Sequence, residues 1–465
     1  MSTTLRSSLQ PVLVGVVAMI VLAAGLVALA VRRSGSDTTS SRPTAALPTT
    51  VVAPESSTIP TTKGALSEPA FVTEAKRRVS ELRGLAWKAP LEVDVVSRDE
   101  LGRRYRAGTE RDRRPEREAG DGDTFKVLHL IPEDLDYSQT IDDLFSGLVL
   151  GFYDPETKEL VVGNSGIEGD KIDIATLLTL VHELDHALTD QWFEFGPATD
   201  ALEEADREEE LDAYIAVLEG DAKLLESRYA ERYLSEEEQV LLALGGLGGA
   251  DEDVAEKLAD TPPFLLEYLY FPYDAGLAFA EAQATRGPDP NAGVDAALRN
   301  PPTSSEQILH PELYAAGQGP SGPLSGVPGW SPPALVDLAA ATGCGSRRRS
   351  SLGEFKMGKL LGTELSRDEA AAGADGWNGD VFETVRCGSS LGLVDRWQAD
   401  TEAEATELFR ALSEWAPGWS GGRAPVDGRF SGPDGAGRII QDGTRVDLFL
   451  ADDRATADRL EAAAS

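Results

Sequence analysis

The chain has few of the residues that metal and redox sites most often use: two cysteines, four histidines and three methionines in 465 residues. Two cysteines form neither a disulfide-rich scaffold nor a four-cysteine metal site. Basic residues are also scarce, with 43 Lys and Arg against 79 Asp and Glu, and the formal net charge is −36. This balance disfavours nucleic-acid binding, because basic surface is needed to displace counterions from phosphates. It equally disfavours binding of the folded part to anionic lipid head groups.

One uncharged apolar run, at residues 11–31, is long enough to cross a lipid bilayer once. It predicts an uncleaved signal anchor over residues 1–33, with the folded part outside the cytoplasm of a single-pass membrane protein. The small residues at 28–30 leave a cleaved signal peptide, and hence secretion, as the alternative. Residues 34–66 are rich in Ser, Thr and Pro, which predicts a disordered tether.

The most informative stretch is H-E-L-D-H at residues 182–186, which contains two of the four histidines. Apolar residues recur around it at steps of three and four, which predicts a mostly buried helix. On a helix, His182 and His186 lie one turn apart on one face, where both imidazoles can bind one zinc ion. Glu183 then lies beside the open coordination position, where it can take a proton from a metal-bound water. A structural pair of histidines on a core helix is the alternative.

A third metal ligand is predicted on the next helix, expected over about residues 203–234. Glu219 lies in the apolar stripe of that helix, where an acid without a partner is costly to bury. Gly220 beside it permits close approach of another helix or of a metal. Asp212 and Glu226 share the face of Glu219, either to orient the histidines or as solvated acids. Other acids at the start of the helix are predicted to form a charged, solvated face: Glu204, Glu208 and Glu209.

Residues 181–191 resemble the H-E-L-x-H-A-L-x-D-Q helix of a family of bacterial, membrane-anchored proteins that are similar to zinc metalloproteases. The E-G-D-A element of that family is similar to residues 219–222, and also to the glutamate helix of gluzincins, the class that includes thermolysin. The likeness covers most of the chain after residue 70, at residues 151–155, 271–276, 301–312, 352–355 and 376–380. It implies a zincin-like fold in which His182, His186 and Glu219 hold Zn²⁺ and Glu183 is the catalytic base.

Two positions depart from this pattern. Asp185 stands where many such proteases carry a neutral residue, and it is expected to face solvent; near the metal it would alter neighbouring pKa values. The gluzincin motif N-E-x-x-x-D is also missing, because position 223 is lysine. The acid that orients a histidine from behind is therefore expected to be Asp221, Asp212 or another residue.

His310 precedes a proline, which predicts that it lies at the end of a short helix. One interpretation makes it a catalytic hydrogen-bond donor to the substrate oxyanion, with Tyr273 and Tyr314 as competing donors. The other makes it a structural lock that fastens its loop over the two core helices. His129 lies in an apolar run and is predicted as a strand residue without a chemical role.

The fold class is predicted as α+β: a mainly helical zincin-like metallopeptidase domain with a small sheet at residues 67–329, and a smaller C-terminal α+β domain at residues 330–465. Two β-rich runs around a turn predict a hairpin over residues 148–162. The C-terminal alternation predicts helices over one antiparallel sheet. In an exported protein the two cysteines, Cys344 and Cys387, suggest one disulfide.

The leading functional hypothesis is a membrane-tethered, extracytoplasmic zinc metallopeptidase that hydrolyses a peptide or protein substrate. The second is a non-catalytic, zincin-derived protein of envelope binding or assembly, in which the metal site is structural or vestigial. The third is a zinc amidase that acts on cell-wall peptides. The partners expected are a peptide substrate and the lipid bilayer around the N-terminal helix, and no nucleic acid.

Overall fold

The computed structural model of the protein describes residues 68–243, 257–319 and 335–464. A mainly helical region is followed by a C-terminal sheet. The first region contains α1 (Ala70–Arg83), β1 (Val93–Val96), α2 (Arg98–Asp112), α3 (Pro115–Val127), α4 (Tyr137–Leu148), β2 (Gly151–Asp154), β3 (Glu159–Gly163), β4 (Ile167–Glu168), β5 (Lys171–Ile172), α5 (Ile174–Phe193), α6 (Phe195–Glu204), α7 (Glu208–Tyr233), α8 (Glu236–Ala243), α9 (Pro263–Ala284), α10 (Ala292–Arg299), α11 (Ser305–Leu309) and α12 (Pro311–Ala315). The second contains α13 (Leu338–Thr342), β6 (Gly345–Ser350), α14 (Gly353–Leu361), α15 (Arg367–Ala374), β7 (Trp377–Cys387), β8 (Ser390–Ala399), α16 (Glu402–Ser420), β9 (Arg429–Ser431), β10 (Ala436–Asp442), β11 (Arg445–Ala451) and α17 (Arg454–Ala464).

Two predictions concern the first 66 residues of the chain. The expected signal anchor and the Ser/Thr/Pro-rich tether both lie outside the described residues. Within the described ranges, no helix combines the length and the apolar character needed to cross a membrane.

Two buried helices, α5 and α7, form the centre of the helical region. The side chain of Asp173 accepts a hydrogen bond from the backbone N–H of Thr176 and caps the start of α5. The helix ends where Glu194 adopts a left-handed conformation, and most side chains between these ends are buried. The predicted buried helix is therefore confirmed. The second predicted helix is present as α7, which begins at Glu208, a few residues later than expected, because α6 ends at Glu204.

A pair of glycines brings α7 and α9 into close contact. A Cβ atom on Gly220 would lie 2.1 Å from the carbonyl oxygen of Gly276, and one on Gly276 would lie 2.1 Å from that of Ala216. Any larger side chain would therefore force the two backbones apart. Of the two roles considered for Gly220, the structure shows the approach of another helix. That contact fixes the height of α7 against α9 beside Glu219.

The predicted hairpin over residues 148–162 is present as β2 and β3, which pair antiparallel. β1 pairs parallel with β3, so the small sheet has the order β1-β3-β2 and β2 lies at one edge. The Tyr153 hydroxyl of β2 donates a hydrogen bond of 2.6 Å to the Asp190 carboxylate of α5. This bond joins the edge strand to the helix that carries the two histidines.

The C-terminal region is one antiparallel sheet of six strands in the order β6-β7-β8-β11-β10-β9. α16 and α17 both contact its strands. This confirms the predicted arrangement of helices over one antiparallel sheet, and β6 and β9 add a strand at each edge. Cys344 and Cys387 form the disulfide that was predicted, with a Cα–Cα distance of 4.7 Å.

The helical region and the C-terminal sheet share buried apolar side chains. Phe125 of α3 and Phe264 of α9 belong to the same hydrophobic cluster as Leu352, Met357 and Trp377. A Cβ atom on Gly120 of α3 would lie 2.2 Å from the carbonyl oxygen of Arg347 in β6. The predicted boundary near residue 330 therefore divides the sequence but not the hydrophobic core.

Two local predictions are wrong. His129 is not in a strand: it follows α3 with a positive φ of 57° and stacks on Trp419, with the ring centroids 4.7 Å apart. The three acids predicted to form a solvated face do not all face solvent: the Glu208 side chain is 11 % exposed and pairs with Arg348 over 2.7 Å. Glu204 is exposed, but Glu209 is buried and accepts hydrogen bonds from Ser305. The apolar neighbours of His129 and the charged neighbours of Glu209 in the sequence indicated the wrong environment for each residue. The contacts that decide it, Trp419 and Ser305, come from distant parts of the chain.

Candidate metal centre

The three predicted metal ligands lie together. The distance from His182 Nε2 to His186 Nε2 is 3.0 Å, and from His182 Nε2 to Glu219 Oε2 also 3.0 Å. The third side of the triangle, from His186 Nε2 to Glu219 Oε2, is 3.5 Å. Ligands of a tetrahedral zinc ion, at bond lengths of about 2.0–2.2 Å, lie about 3.3 Å from one another. The three atoms therefore fit the size of a zinc ion, and the donor set of two imidazoles and one carboxylate fits its chemistry.

Glu219 reaches the histidines because α7 crosses α5 with its buried face turned to them. The Glu219 side chain is fully buried, as are those of His182 and His186 within 1 %. Burial raises the pKa of Glu219, but the charge of His186 and hydrogen bonds to both histidines outweigh it, and the net shift is downward. The carboxylate is therefore ionised and available as a ligand.

Glu226 supports the first histidine from behind. It is one of the two acids considered on the face of Glu219, and its Oε1 lies 2.6 Å from His182 Nδ1. Lys223 donates to the other oxygen of Glu226 over 2.7 Å. A carboxylate on the far nitrogen fixes the ring orientation of a metal-binding histidine and leaves Nε2 free for the metal. Lys223 stands at the position where gluzincins carry an acid. Here its ammonium group holds Glu226, the acid that orients His182.

Glu183 is buried at the centre of this site without a bonded partner. Its exposed fraction is 0 %, and among the described residues neither carboxylate oxygen has a hydrogen-bond partner. The charge of His182, and after it the backbone of Tyr153 in the edge strand β2, favour its ionised form. Burial raises the pKa of Glu183 well above its usual range, and the neighbouring charge of His182 offsets only part of the rise. A carboxyl with a raised pKa can accept and return a proton near neutral pH.

Tyr273 is the aromatic neighbour of the cluster. Its ring lies 6.3 Å from that of His182, and its hydroxyl faces Glu219. Burial, together with the charges of Glu219 and Glu183, raises the pKa of Tyr273 well above its usual range. Its hydroxyl therefore stays protonated and can donate a hydrogen bond.

A buried arginine lies behind the metal ligands. Arg83 of α1, 2 % exposed, contacts Asp185 of α5 over 3.3 Å and Asp221 of α7 over 2.9 Å. Its Nη1 also lies 3.0 Å from Asp295 of α10. The prediction that Asp185 faces solvent is wrong, since Asp185 is only 1 % exposed. Asp185 and Asp221 are bound by this guanidinium and do not hydrogen-bond to the histidines.

Three other predicted residues lie elsewhere. Asp212 accepts hydrogen bonds from Tyr268 and from Lys356, at 2.8 Å for the latter. Tyr314 donates to the backbone carbonyl of Asn300 over 2.7 Å. His310 ends α11, as predicted, and its Nε2 lies 2.8 Å from Glu354 Oε1. In the described part of the chain, no hydrogen bond or ion pair joins these three side chains to the metal ligands.

Zinc binding is expected to release a proton from His182, so that zinc affinity rises about tenfold per pH unit from pH 6 to 8. Burial lowers the pKa of His182, but hydrogen bonds to Glu219 and Glu226 raise it to about 10. By the same sign, the protonated ring stabilises the metal-free fold fully below pH about 6.5, and this contribution is lost as the pH rises through about 10. Calorimetric zinc titrations in two buffers of different ionisation enthalpy count the protons. An affinity that does not change between pH 6 and 8 would contradict the expectation.

Comparison with known proteins adds one match. A family model described as a domain of unknown function (DUF8575) matches residues 340–461, the segment that contains the six-stranded sheet. No curated protein and no solved structure matches the chain significantly. The matched segment does not include the metal centre, so the interpretation of that site depends on its own geometry.

Proposed function

We propose that this protein is a zinc-dependent metallopeptidase. The observation that carries the proposal is the ligand triangle of His182, His186 and Glu219, with the unpartnered carboxylate of Glu183 buried beside it. A structural site gains nothing from such a carboxylate, since a buried acid without a donor destabilises the fold. A hydrolytic site requires one, because a proton must be accepted and later delivered.

The chain supplies each part of the expected chemistry. Zinc bound by the three ligands would act as a Lewis acid and lower the pKa of a coordinated water. Glu183 would accept a proton at its carboxylate and return it to the leaving amine. The Tyr273 hydroxyl would donate a hydrogen bond toward the charge that develops on the substrate carbonyl. Glu226 would keep His182 in the orientation and tautomer that place Nε2 in the triangle.

The substrate proposed is an extended peptide. Strand β2 is at the edge of its sheet, and the backbone of its residue Tyr153 faces Glu183. An edge strand binds an extended peptide through main-chain hydrogen bonds, which are independent of the side chains of the peptide. A peptide paired with β2 would pass over the helix that carries the histidines. We further propose that the apolar run at residues 11–31 anchors the enzyme to the membrane, with the catalytic region outside the cytoplasm.

Bound metal tests the site directly. The full-length chain, purified in mild detergent and supplied with zinc, is expected to contain about one zinc at this centre by elemental mass spectrometry. His186→Ala and Glu219→Gln should each lose it. His129→Ala is the matched control, because that histidine stacks on Trp419 far from the triangle in the fold. The same zinc content in His186→Ala as in the wild type would contradict the site.

One observation favours the second candidate, a non-catalytic envelope protein of zincin descent. His182, Glu183, His186 and Glu219 are at most 1 % exposed, so the site is closed in the conformation described. A closed site suits a structural metal. One measurement separates the two functions, the cleavage of unfolded proteins and peptides by the zinc-loaded protein. If zinc binds to the triangle but no substrate is cleaved, the non-catalytic function is favoured.

A further inference from the structure

A second cluster of possible metal ligands lies where the helical region meets the C-terminal sheet. His310 follows α11, Glu354 is in the first turn of α14, and Asp375 follows α15. His310 Nε2 lies 2.8 Å from Glu354 Oε1 and 3.8 Å from Asp375 Oδ1. The three ligand atoms all lie within 4.8 Å of one another. Three segments that are distant in sequence therefore converge on one small volume.

The hydrogen bond from His310 satisfies only one of the two carboxylate oxygens of Glu354. The Glu354 side chain is 7 % exposed, and in the described ranges its buried Oε2 has no hydrogen-bond partner. Glu306, only 4 % exposed, lies next to Glu354, and the two carboxylates repel each other. One imidazole faces three carboxyl groups, so acidic groups outnumber basic ones in the cluster. A buried, unpartnered carboxylate oxygen costs free energy unless a cation or a donor occupies the space in front of it.

We propose that this cluster binds a divalent cation through His310, Glu354 and Asp375, with Glu306 as a further carboxylate nearby. One imidazole among carboxylates suits Zn²⁺ or Mn²⁺ better than Ca²⁺, which takes oxygen ligands. In a six-coordinate ion with bonds of about 2.1 Å, ligands are about 3.0 Å apart when adjacent and about 4.2 Å apart when opposite. The two spacings from His310, 2.8 and 3.8 Å, lie close to these values, and water would complete the shell.

The role of this ion is structural, and the site is independent of the one proposed for catalysis. Gly353, next to Glu354, packs against the Glu209 carboxylate at the start of α7, the helix that carries Glu219. Asp380 of β7 accepts hydrogen bonds from the backbone N–H groups of Leu352 and Gly353. A cation at His310 would therefore hold the loop after α11 against both α14 and the sheet. The structural interpretation of His310 expected its loop to be fastened over the two core helices, whereas the partners of His310 in this cluster belong to α14 and to the end of α15.

The test is a count of metals on the full-length protein in detergent. The chain is stripped with a chelator, reloaded with Zn²⁺ alone or Mn²⁺ alone, dialysed and analysed by elemental mass spectrometry. Two equivalents are expected in the wild type with at least one of the two metals. Glu354→Gln and His310→Ala should each retain one, His186→Ala should retain one, and the double variant His186→Ala/His310→Ala should retain none.

The outcomes separate the two sites. One equivalent in the wild type, lost in His186→Ala and kept in His310→Ala, would overturn the second site and leave the first intact. One equivalent in the wild type that is lost only in His310→Ala would support the second site and overturn the first. Glu312→Gln is the matched control, since Glu312 is 74 % exposed and lies on the other ring nitrogen of His310, at 3.8 Å. If Glu354→Gln does not fold, the 64 % exposed Asp375 provides the same test as Asp375→Asn, which should also retain one equivalent.

Discussion

Replacing Glu183 by glutamine is expected to reduce peptide hydrolysis by about 10²–10⁴-fold, because glutamine has the same shape but cannot hold the proton that the reaction transfers. The metal content should stay the same, since Glu183 is not in the ligand triangle. The free energy of unfolding should not fall. Burial disfavours the charged form of this carboxyl and raises its pKa, so a neutral amide of the same shape should be no more costly to bury. Loss of activity without loss of stability or of metal is specific to a catalytic base.

The measurement is the rate of cleavage of a labelled unfolded protein and of a mixed peptide library by the zinc-loaded full-length enzyme. Zinc content and urea unfolding are recorded on the same preparations. Glu204→Gln is the matched control, as Glu204 is exposed at the end of α6. If Glu183→Gln cleaves as fast as the wild type, the proposed mechanism is wrong. If neither protein cleaves any substrate while zinc is bound, the non-catalytic function is favoured.

Replacing Arg83 by alanine is expected to destabilise the protein by about 3–5 kcal/mol, the usual cost of leaving buried charges without their partner. Arg83 is 2 % exposed and pairs with Asp185 and Asp221, which are 1 % and 3 % exposed. Without the guanidinium, two carboxylates on adjacent helices would repel each other. The helices are α5 and α7, which carry all three proposed metal ligands, so zinc affinity should fall as well.

Urea denaturation of the metal-free protein measures the first effect, and zinc titration the second. Arg77→Ala is the matched control on the same helix. Arg77 is 56 % exposed and pairs only with surface acids, so its loss should cost at most about 1 kcal/mol. The variant Arg83→Ala/Asp185→Asn should recover part of the lost stability, because one of the unpaired charges is then removed. Equal unfolding free energies for Arg83→Ala and Arg77→Ala would contradict the structural role.

The meeting of His182, His186 and Glu219 was predictable because its signal is local. Two histidines at helical spacing are on one face whatever the rest of the fold does, and the buried acid of Glu219 stands out against its apolar neighbours. The strand pattern on either side of a turn likewise predicted the β2–β3 hairpin. In each case a periodicity of two or of 3.6 residues determines which side chains share a face. These elements need no knowledge of distant contacts.

The supporting residues were not predictable because their roles depend on how helices cross. Glu226 and Asp212 are equivalent in sequence, on either side of Glu219, yet only Glu226 meets His182. Arg83 is the last residue of an ordinary amphipathic helix, and nothing near it in sequence indicates burial. The prediction that Asp185 faces solvent was wrong because its partner, Arg83, belongs to a helix that is distant in the sequence. His129 failed for a related reason: its positive φ follows from the turn after α3, not from its apolar neighbours.

The hydrophobic cluster that joins α3 and α9 to the sheet bears on how such proteins diversify. The segment matched as a domain of unknown function begins at residue 340, whereas its apolar surface packs against Phe125 and Phe264, which precede it in the chain. The segment is therefore one half of a complementary pair and not an independently exchangeable unit. Any protein that carries this segment without the helical half must cover the same surface by other means, with a helix of its own or with one from a partner chain.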